Sequence, residues 1–361
     1  MNPTLREKTT VVTDQDLLLV FDETVTRAGV DRWLRHLESA GAPTQIYRLG
    51  AGHVLPVSTM DAAGTVDAVA AARPDLPVPT RRVPREGQAW LGRRELRPGG
   101  TQVSLGPVTI GDGSVAVIAG PCAVENPEQM NATAELVAAH GAVALRGGAF
   151  KPRTSPHAFQ GLGFSGLELL VEARKRTGLP FVTEVVDAEH VKRLAEVVDG
   201  FQIGARNMQN FSLLSAVGQS GLPVVLKRGF GCTVEETLAA GEYLLLEGND
   251  QVMLCERGIR TFEPSARFTL DLTAVALWKQ RTHLPVIVDP SHSGGRPELV
   301  EPLSLAAVAA GADALLIDVH VQPEQALCDG NQALRPEQFA GLMERLAGAA
   351  AGLGRRLSGG H

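Results

Sequence analysis

The chain has 361 residues, a formal net charge of −6 and an aromatic content of only 4%. The negative charge argues against a general nucleic-acid binder, and the low aromatic content argues against a platform that stacks single-stranded bases. An apolar content of 44% excludes a disordered or low-complexity chain. No apolar run approaches about 18 residues, and the polar start of the sequence has no signal-peptide core. We therefore expect a cytoplasmic globular protein that binds neither nucleic acid nor membrane.

The cysteine pattern favours reduced thiols. Four cysteines are scattered along the chain without a CxxC pair: Cys122, Cys232, Cys255 and Cys328. Such spacing suits a cytosolic enzyme better than a disulfide framework.

Residues 15–80 predict a small α/β unit. Apolar runs indicate strands at 16–21, 44–49 and 54–58, and helical spacing indicates helices at 30–40 and 61–72. Thr59 or Asp61 is the expected cap of the second helix. This order fits a small ferredoxin-like α+β domain, which we place at residues 1–80.

A linker is expected at residues 81–101, ahead of a catalytic domain at 102–361. The stretch 73–87 carries four prolines and many charges, and 97–100 reads Arg-Pro-Gly-Gly. Proline fixes φ and removes a hydrogen-bond donor, so this region indicates extended chain rather than helix.

The rest of the chain alternates short β-branched runs with helical segments. Eight continuously apolar runs predict strands that are buried on both faces, at 115–120, 143–148, 181–185, 200–205, 224–229, 252–258, 286–291 and 314–320. Helical segments between them are 127–140, 166–177, 188–198, 233–247, 265–280, 296–310 and 336–353. Eight strands, each followed by a helix, predict a (β/α)₈ TIM barrel. The turn-rich segment 102–113 is expected to form a hairpin that closes the bottom of the barrel.

Basic residues recur at the carboxyl ends of the predicted strands, where a barrel keeps its chemistry. They are Arg146, Lys151, Arg153, Arg206, Lys227, Arg228, Arg257 and Arg260. Clustered arginine and lysine suit phosphate and carboxylate groups, and this set is large enough for two phosphorylated substrates. The alternative is that some of them pair with Glu125, Glu184 or Asp289.

A second set at the same face suits a divalent metal. Cys122, His292, Asp318 and Asp329 each follow a predicted strand, and thiolate, imidazole and carboxylate are workable transition-metal ligands. The alternative for Cys122 alone is a small buried residue. Cys255 is expected in the core, and His320 is equally compatible with the site and with packing.

Six motifs at these strand ends match a known family. They are IAGPCAVE (118–125), LRGGAFKPRTSPHAFQGLG (145–163), QIGARNMQN (202–210), LKRG (226–229), CERGIRTF (255–262) and VDPSHSGG (288–295). The chain resembles the 3-deoxy-D-arabino-heptulosonate 7-phosphate (DAHP) synthases of the type I-beta branch over roughly residues 102–352. The related 3-deoxy-D-manno-octulosonate 8-phosphate synthases carry Asn-Arg-Ser-Ser after the lysine, where this chain has Pro-Arg-Thr-Ser. This difference favours a four-carbon aldose phosphate.

The resemblance implies a reaction and a site. Phosphoenolpyruvate condenses with erythrose 4-phosphate to give DAHP and phosphate, which opens the shikimate route to aromatic amino acids. Arg206, Lys227 and Arg257 would hold the phosphoenolpyruvate phosphate, and Arg146 and Lys151 its carboxylate. Further implied roles concern the second substrate, the aldehyde and the water: Arg153, Thr154 and Ser155 bind the erythrose 4-phosphate phosphate, Lys151 lies near the aldehyde, and Glu184 lies near the attacking water.

The resemblance also implies one divalent ion, with Mn²⁺ preferred and Co²⁺, Fe²⁺ or Zn²⁺ as alternatives. Its ligands would be Cys122, His292, Asp318 and Asp329. Two positions depart from the family pattern. Asp318 stands where the family has glutamate, and Phe268 stands where asparagine is expected. Phe268 changes the shape of the substrate site only if it faces that site rather than the helix layer.

The placement of the small domain resembles the regulatory domain of this branch. An aromatic amino acid effector and a homotetramer or homodimer are therefore expected, and a purely stabilising role for the domain is the alternative. Two alternative functions stay open. One is a specialised-metabolism relative that uses another aldose phosphate, and the other is a weakly catalytic regulatory barrel.

Overall fold

The structure is a computed structural model that describes residues 16–42, 44–153 and 155–359. The chain divides into two compact units, Met1–Leu91 and Gly92–His361. Within the described ranges, no helix has both the length and the apolar character needed to span a membrane.

The first unit is a four-stranded antiparallel sheet with two helices. Its elements in chain order are β1 (Leu17–Phe21), α1 (Arg27–Ser39), β2 (Tyr47–Leu49), β3 (Gly52–Val57), α2 (Ala62–Ala72) and β4 (Arg81–Pro84). The strands pair in the order β2-β3-β1-β4. This order, together with the βαββαβ sequence of elements, confirms the predicted ferredoxin-like unit.

Local capping explains where the helices of this unit begin. The Asp61 carboxylate accepts a hydrogen bond from the Gly64 amide, so Asp61 rather than Thr59 caps α2. Thr26 caps α1 in the same way, which starts that helix three residues before the predicted position 30. The helix then buries Val30, Trp33 and Leu37, which share one face because of their spacing.

The segment predicted as linker contributes a strand instead. Arg81–Pro84 forms β4 at the edge of the sheet, antiparallel to β1. A proline at the end of an edge strand removes no hydrogen bond from the sheet interior, so the proline-rich composition is compatible with pairing.

The second unit begins with a hairpin and continues as alternating strands and helices. The hairpin pairs β5 (Val103–Leu105) with β6 (Val108–Ile110). The first four barrel repeats contain β7 (Ala116–Gly120), α3 (Pro127–Ala139), β8 (Ala144–Arg146), α4 (Phe164–Thr177), β9 (Phe181–Glu184), α5 (Ala188–Ala195), β10 (Gly200–Ile203) and α6 (Phe211–Gln219). The last four contain β11 (Val224–Lys227), α7 (Val234–Leu246), β12 (Val252–Glu256), α8 (Leu272–Arg281), β13 (Val286–Val288), α9 (Pro290–Gly294), α10 (Pro297–Ala309), β14 (Ala314–Asp318) and α11 (Pro336–Gly352).

Strands β7 to β14 close into a parallel barrel, as the sequence predicts. Every residue of these eight strands is buried, which explains why their sequences are mainly apolar, with charged residues at several carboxyl ends. The hairpin lies at the amino-terminal end of the strands. Its Val103, Leu105 and Ile110 share a core cluster with Met253 and Cys255. Cys255 is therefore a core residue, as predicted.

Several predicted boundaries are wrong in ways that have local causes. The seventh strand ends at Val288 rather than 291, because Asp289 caps the short helix α9 by accepting a hydrogen bond from the His292 amide. Helix α8 begins at Leu272 rather than 265, since Asp271 is its cap. Helix α6, whose cap is Asn210, was not among the predicted helical segments.

Gly120 is a position where the barrel requires glycine. Its φ is +153°, and a Cβ there would collide with the backbone carbonyl of Arg146. We expect Gly120→Ala to lower the free energy of unfolding by about 1–3 kcal/mol, measured by urea denaturation. The control is Gly348→Ala inside α11, where a Cβ meets no atom within 4 Å. The control is expected to be neutral or stabilising, and equal effects of the two variants would contradict the steric argument.

Candidate active site

The predicted site residues of the barrel lie at or beyond the carboxyl ends of its strands. Arg146, Glu184, Lys227 and Asp318 are the last residues of β8, β9, β11 and β14. The others follow in the next segment: Cys122, Lys151, Arg153, Ser155, Arg206, Arg257, His292 and Asp329. Parallel strands direct all of these positions to one face of the barrel.

One pocket at this face gathers most of the predicted cations. Its lining residues are Lys151, Pro152, Arg153, Glu184, Gln202, Gly204, Ala205, Arg206, Lys227, Phe230, Arg257, Arg267, His292, Cys328 and Asp329. Six of these residues are arginine or lysine, so the pocket carries a strong local positive charge in a chain whose net charge is −6. Such a pocket suits anionic substrates.

Three potential metal ligands face a common point beside this pocket. The Cys122 Sγ atom lies 3.6 Å from His292 Nε2 and 3.3 Å from Asp329 Oδ2. His292 Nε2 and Asp329 Oδ2 are 3.7 Å apart. Thiolate, imidazole and carboxylate ligands of one tetrahedral ion lie about 3.5 Å from one another, so this donor set fits a divalent transition metal.

Asp329 adopts a backbone conformation that is unfavourable for residues other than glycine. Its φ is +52°, and it is the one residue other than glycine with positive φ among the described residues. A left-handed backbone conformation costs a non-glycine residue of order 1–3 kcal/mol. Residues in this conformation are concentrated at functional sites.

Asp289 fixes the orientation of the His292 ring. Its carboxylate lies 2.9 Å from His292 Nδ1, and it also pairs with Lys227 Nζ at 2.6 Å. Burial opposes ionisation of Asp289, but the charges of His292 and Lys227 outweigh it and hold the pKa of this carboxyl well below its usual range. An ionised Asp289 at Nδ1 leaves Nε2 directed at Cys122 and Asp329.

Cys122 and Lys151 form a buried charge pair. Lys151 Nζ lies 3.3 Å from Cys122 Sγ and 3.8 Å from Glu184 Oε2. A hydrogen bond from Cys328, together with the charges of Lys151 and His292, holds the pKa of the Cys122 thiol well below its usual range. Burial alone would lower the pKa of Lys151, but the charges of Cys122 and Glu184 raise it. Both pKa shifts favour a thiolate beside an ammonium group.

Arg257 lies against two stacked phenyl rings. The rings of Phe230 and Phe268 are parallel, with centroids 5.0 Å apart, and the Arg257 guanidinium lies 4.8 Å and 4.3 Å from their centroids. Burial lowers the pKa of Arg257, and within the described part of the chain its Nη1 atom has no hydrogen-bond partner. A buried, unpartnered guanidinium nitrogen in a pocket wall is available for an anionic ligand.

Phe268 therefore contacts a pocket residue, Arg257, without lining the pocket itself. We expect Phe268→Asn to raise the KM for the anionic substrate that Arg257 contacts by about 3- to 10-fold, because a buried cation–π contact contributes about 0.5–2 kcal/mol. The turnover number should change less. The control is Phe262→Asn in the same loop, where the side chain is 97% exposed. A KM that is identical in the two variants would remove Phe268 from the site.

Arg146 and Asp318 pair with each other rather than line the pocket. Both side chains are buried, and Arg146 Nη1 forms an ion pair with Asp318 Oδ1. The other carboxylate oxygen of Asp318 accepts a hydrogen bond from Gln332 and lies 3.5 Å from His292 Nδ1. Asp318 also belongs to a ligand group, because one ligand atom each from Cys122, His292 and Asp318 all lie within 4.8 Å of one another.

Of the three residues expected to bind the phosphate of the second substrate, the structure places one in the pocket. Arg153 lines the pocket and donates to Cys328 Sγ at 2.9 Å. Ser155 is exposed, and its hydroxyl accepts a hydrogen bond from the His157 amide. Thr154 lies outside the described residues.

Comparison with known proteins agrees with this geometry. A family model described as the DAHP synthetase I family matches residues 96–350. The phospho-2-dehydro-3-deoxyheptonate aldolase of Thermotoga maritima is 50% identical over 268 residues, which are 74% of this chain and 79% of that protein. The chain belongs to the DAHP synthetase I family. This confirms the resemblance and the enzyme class that the motifs predict.

Solved structures of DAHP synthases extend the agreement to the fold. The Thermotoga maritima enzyme has a TM-score of 0.75 and 42% identity, and the match covers 95% of this chain and 100% of that chain. A truncated form from the same organism has a TM-score of 0.71 and 46% identity over 75% of this chain and 100% of that chain. A 2-dehydro-3-deoxyphosphooctonate aldolase from Syntrophotalea carbinolica is 36% identical over 65% of this chain and 91% of that protein.

Besides Arg146, two further expected cations of this DAHP synthetase family member do not line the pocket. Arg228 points away and pairs with Glu256 at 2.8 Å and Asp271 at 2.9 Å. Successive side chains of extended backbone point to opposite sides, so an inward Lys227 requires an outward Arg228. Arg260 is exposed and lies 5.9 Å from the Phe230 ring centroid.

Three polar lining residues were not among the predicted site residues: Gln202, Arg267 and Cys328. Gln202 donates to Glu184, and Arg267 pairs with Asp329 at 3.5 Å. Gln202 occurs in an apolar strand, where a polar residue signals an inward-facing role. Arg267 and Cys328 come from long loops, so their positions depend on tertiary structure.

Proposed function

We propose that this chain condenses phosphoenolpyruvate with erythrose 4-phosphate, forms DAHP and releases phosphate. The observation that carries the proposal is a single pocket in which several cations surround a thiolate, an imidazole and a carboxylate that face a common point. The cations suit two phosphorylated anions, and the other three groups suit one divalent ion. Membership of the DAHP synthetase I family supports this combination of ligands.

Phosphoenolpyruvate would occupy the part of the pocket formed by β10 to β12. Arg206, Lys227 and Arg257 would bind its phosphate, and the unpartnered Nη1 of Arg257 is available for one phosphate oxygen. Lys151 would bind its carboxylate, since the ammonium group is charged and lies in the pocket wall. The predicted second carboxylate ligand, Arg146, is engaged by Asp318, so its contribution stays a prediction.

Erythrose 4-phosphate would place its phosphate at Arg153, with Thr154 and Ser155 as the predicted further contacts. Its aldehyde would then lie between Lys151 and the potential metal ligands. Holding both reactants in one pocket turns the addition into an effectively unimolecular step.

The bond changes follow from this placement. Carbon 3 of phosphoenolpyruvate adds to the aldehyde carbon, and positive charge develops at carbon 2. Lys151 stabilises the developing charge on the aldehyde oxygen. Glu184, whose Oε2 atom lies 3.8 Å from Lys151 Nζ, would hold the water that adds to carbon 2. One proton of this water goes to the former aldehyde oxygen, and the other leaves with phosphate as carbon 2 becomes a carbonyl. Lys227 and Arg257 neutralise the departing phosphate.

A divalent ion held by Cys122, His292, Asp318 and Asp329 would act as a Lewis acid on the aldehyde oxygen. The low pKa of Cys122 suits this role, because only the thiolate binds a metal. We propose Mn²⁺, Co²⁺, Fe²⁺ or Zn²⁺ as the candidates. We also propose that an aromatic amino acid effector binds the ferredoxin-like unit and that the protein forms a homotetramer or homodimer. The same proposal places the reaction in the shikimate pathway and the protein in the cytoplasm.

A panel of aldose phosphates tests the substrate assignment. Purified protein is given phosphoenolpyruvate with erythrose 4-phosphate, arabinose 5-phosphate or ribose 5-phosphate, and the products are identified by mass spectrometry. We expect the seven-carbon product with erythrose 4-phosphate to form at least about 100-fold faster than the others. Preference for a five-carbon aldose would contradict the assignment and favour the specialised-metabolism alternative that Phe268 and Asp318 suggest.

A further inference from the structure

Gln332 contacts one of the two carboxylates in the candidate metal site. Gln332 is buried, and its Nε2 atom donates a hydrogen bond to Asp318 Oδ2. The Asp318 carboxylate forms a ligand group with Cys122 and His292, whose ligand atoms all lie within 4.8 Å of one another. Its other oxygen, Oδ1, pairs with Arg146. The Asp318 carboxylate is therefore held from two sides, by a buried guanidinium and by a buried amide.

Arg267 contacts both the amide oxygen of Gln332 and the second carboxylate of the site. Its Nη1 atom donates to Gln332 Oε1 at 2.6 Å and lies 3.5 Å from Asp329 Oδ1. The Asp329 Oδ2 atom lies 3.3 Å from Cys122 Sγ, so this carboxylate also faces the metal position. One guanidinium therefore contacts Asp329 directly and Asp318 through Gln332.

The Arg267 guanidinium decides which end of the Gln332 amide faces Asp318. A guanidinium has only donors and an ionised carboxylate has only acceptors, whereas an amide has one end of each kind. Because the amide oxygen is turned to Arg267, the NH₂ group is presented to Asp318. A reversed amide would lose both hydrogen bonds, since its oxygen would face the carboxylate and its NH₂ group the guanidinium. Loss of Arg267 therefore frees the amide to turn and weakens the support of Asp318.

Local backbone geometry brings these side chains together. Asp329 is the N-cap of a single turn of 3₁₀ helix that ends at Gln332. Residues three apart eclipse in such a turn, so Asp329 and Gln332 lie on the same side of the chain. Arg267 comes from the loop before α8, and its backbone amide donates to the Gly294 carbonyl at 3.3 Å. Arg267 is thus anchored at the end of α9, the helix that carries His292.

We propose that Arg267 and Gln332 form a relay that positions both carboxylate ligands of the divalent ion. Arg267 orients Asp329 directly and orients Asp318 by fixing the Gln332 amide. Both are positioning residues, because they act on the ion through the two carboxylates. Hydrogen-bond partners of this kind set the direction in which a ligand presents its lone pairs. The inference rests on the proposed function only in requiring a metal at this site.

Cobalt binding to the metal-free protein tests the relay without an activity assay. The protein is titrated with Co²⁺, and the thiolate-to-cobalt band in the near ultraviolet and the d–d bands in the visible are recorded. Gln332→Met removes both hydrogen bonds and keeps the side-chain length. We expect the Co²⁺ affinity to fall at least about tenfold, the usual cost of losing a partner that orients a ligand. The thiolate band should remain, since Cys122 is unchanged, while the d–d bands shift because the Asp318 carboxylate is released.

A double-mutant cycle separates a relay from two independent effects. Arg267→Met removes the contacts to Gln332 and Asp329, and it is expected to weaken Co²⁺ binding at least about tenfold. In the Gln332→Met background the same change can act only through Asp329, so its effect should be at least about threefold smaller. Losses that multiply in the double variant would overturn the relay, as would a loss below tenfold in either single variant.

The control variants are Gln325→Met and Arg296→Met. Gln325 is exposed in the loop that leads to Gln332, Arg296 is exposed just after α9, and neither lines the pocket. Both controls should keep the wild-type affinity and bands. The Arg267 side chain is 36% exposed, so Arg267→Met should fold and decides the question even where Gln332→Met does not.

The outcome for the relay is separate from the outcome for the reaction. Co²⁺ binding needs no substrate, so the relay can stand when the aldose panel contradicts the substrate assignment. A wild type without a thiolate band would overturn the relay, because it would show that Co²⁺ does not bind beside Cys122. Product formation in the aldose panel would then still report on the substrate assignment by itself.

Discussion

Replacing Lys151 with alanine is expected to lower kcat by about 10²- to 10³-fold, the cost of losing one preorganised charge at a reacting oxygen. Lys151 Nζ lies 3.3 Å from Cys122 Sγ and 3.8 Å from Glu184 Oε2, and Lys151 also lines the pocket. The measurement is steady-state consumption of phosphoenolpyruvate at saturating aldose phosphate. Stability should change much less than turnover, which urea denaturation of the same variant reports.

Lys175→Ala is the matched control for this experiment. Lys175 lies exposed in the last turn of α4, so its loss removes an equal charge away from the pocket. The control should keep kcat within about twofold of wild type, because Lys175 is exposed and does not line the pocket. If the two variants have the same kcat, Lys151 has no place in the chemistry.

The second large effect is expected from Cys122→Ala. This change removes a potential metal ligand, the Cys122 Sγ atom, which lies 3.3 Å from Asp329 Oδ2 and 3.6 Å from His292 Nε2. Loss of a residue that merely supports a ligand costs 10- to 100-fold in metal affinity or activity, so loss of the ligand itself should reduce activity by more than about 100-fold. Metal content by atomic absorption and phosphoenolpyruvate consumption are measured on the same preparation.

Cys232→Ser serves as the control, since it removes a thiol outside the pocket. Metal content and turnover should both match wild type. Full activity of Cys122→Ala in the presence of a chelator would show that the reaction needs neither this thiolate nor a metal.

The barrel could be predicted because burial on both faces makes each strand a continuous apolar run. Strand ends were less predictable. The predicted seventh strand overran Val288 because the capping role of Asp289 depends on a side-chain hydrogen bond rather than on hydropathy. The proline-rich segment that became β4 shows the opposite error, since an edge strand tolerates a composition that is typical of linkers.

The candidate site could be predicted as a set of strand-end residues but not as a set of contacts. Parallel strands bring Lys227 and Arg257 to one pocket, which the chain order already implied. The outward direction of Arg228 also follows from strand alternation, and that signal was available in the sequence. By contrast, the Arg146–Asp318 pair and the approach of Cys328 to Cys122 arise from loops and neighbouring strands, so only the folded chain reveals them.

The most direct test of the account is phosphoenolpyruvate consumption with erythrose 4-phosphate, measured with added Mn²⁺ or Zn²⁺ and again with a chelator. We predict metal-dependent consumption with release of one phosphate per phosphoenolpyruvate, abolished by the chelator and restored by added metal. Consumption that the chelator leaves unchanged would contradict the metal site built on Cys122, His292 and Asp329. The absence of consumption under every condition would contradict the proposed reaction and favour a regulatory barrel.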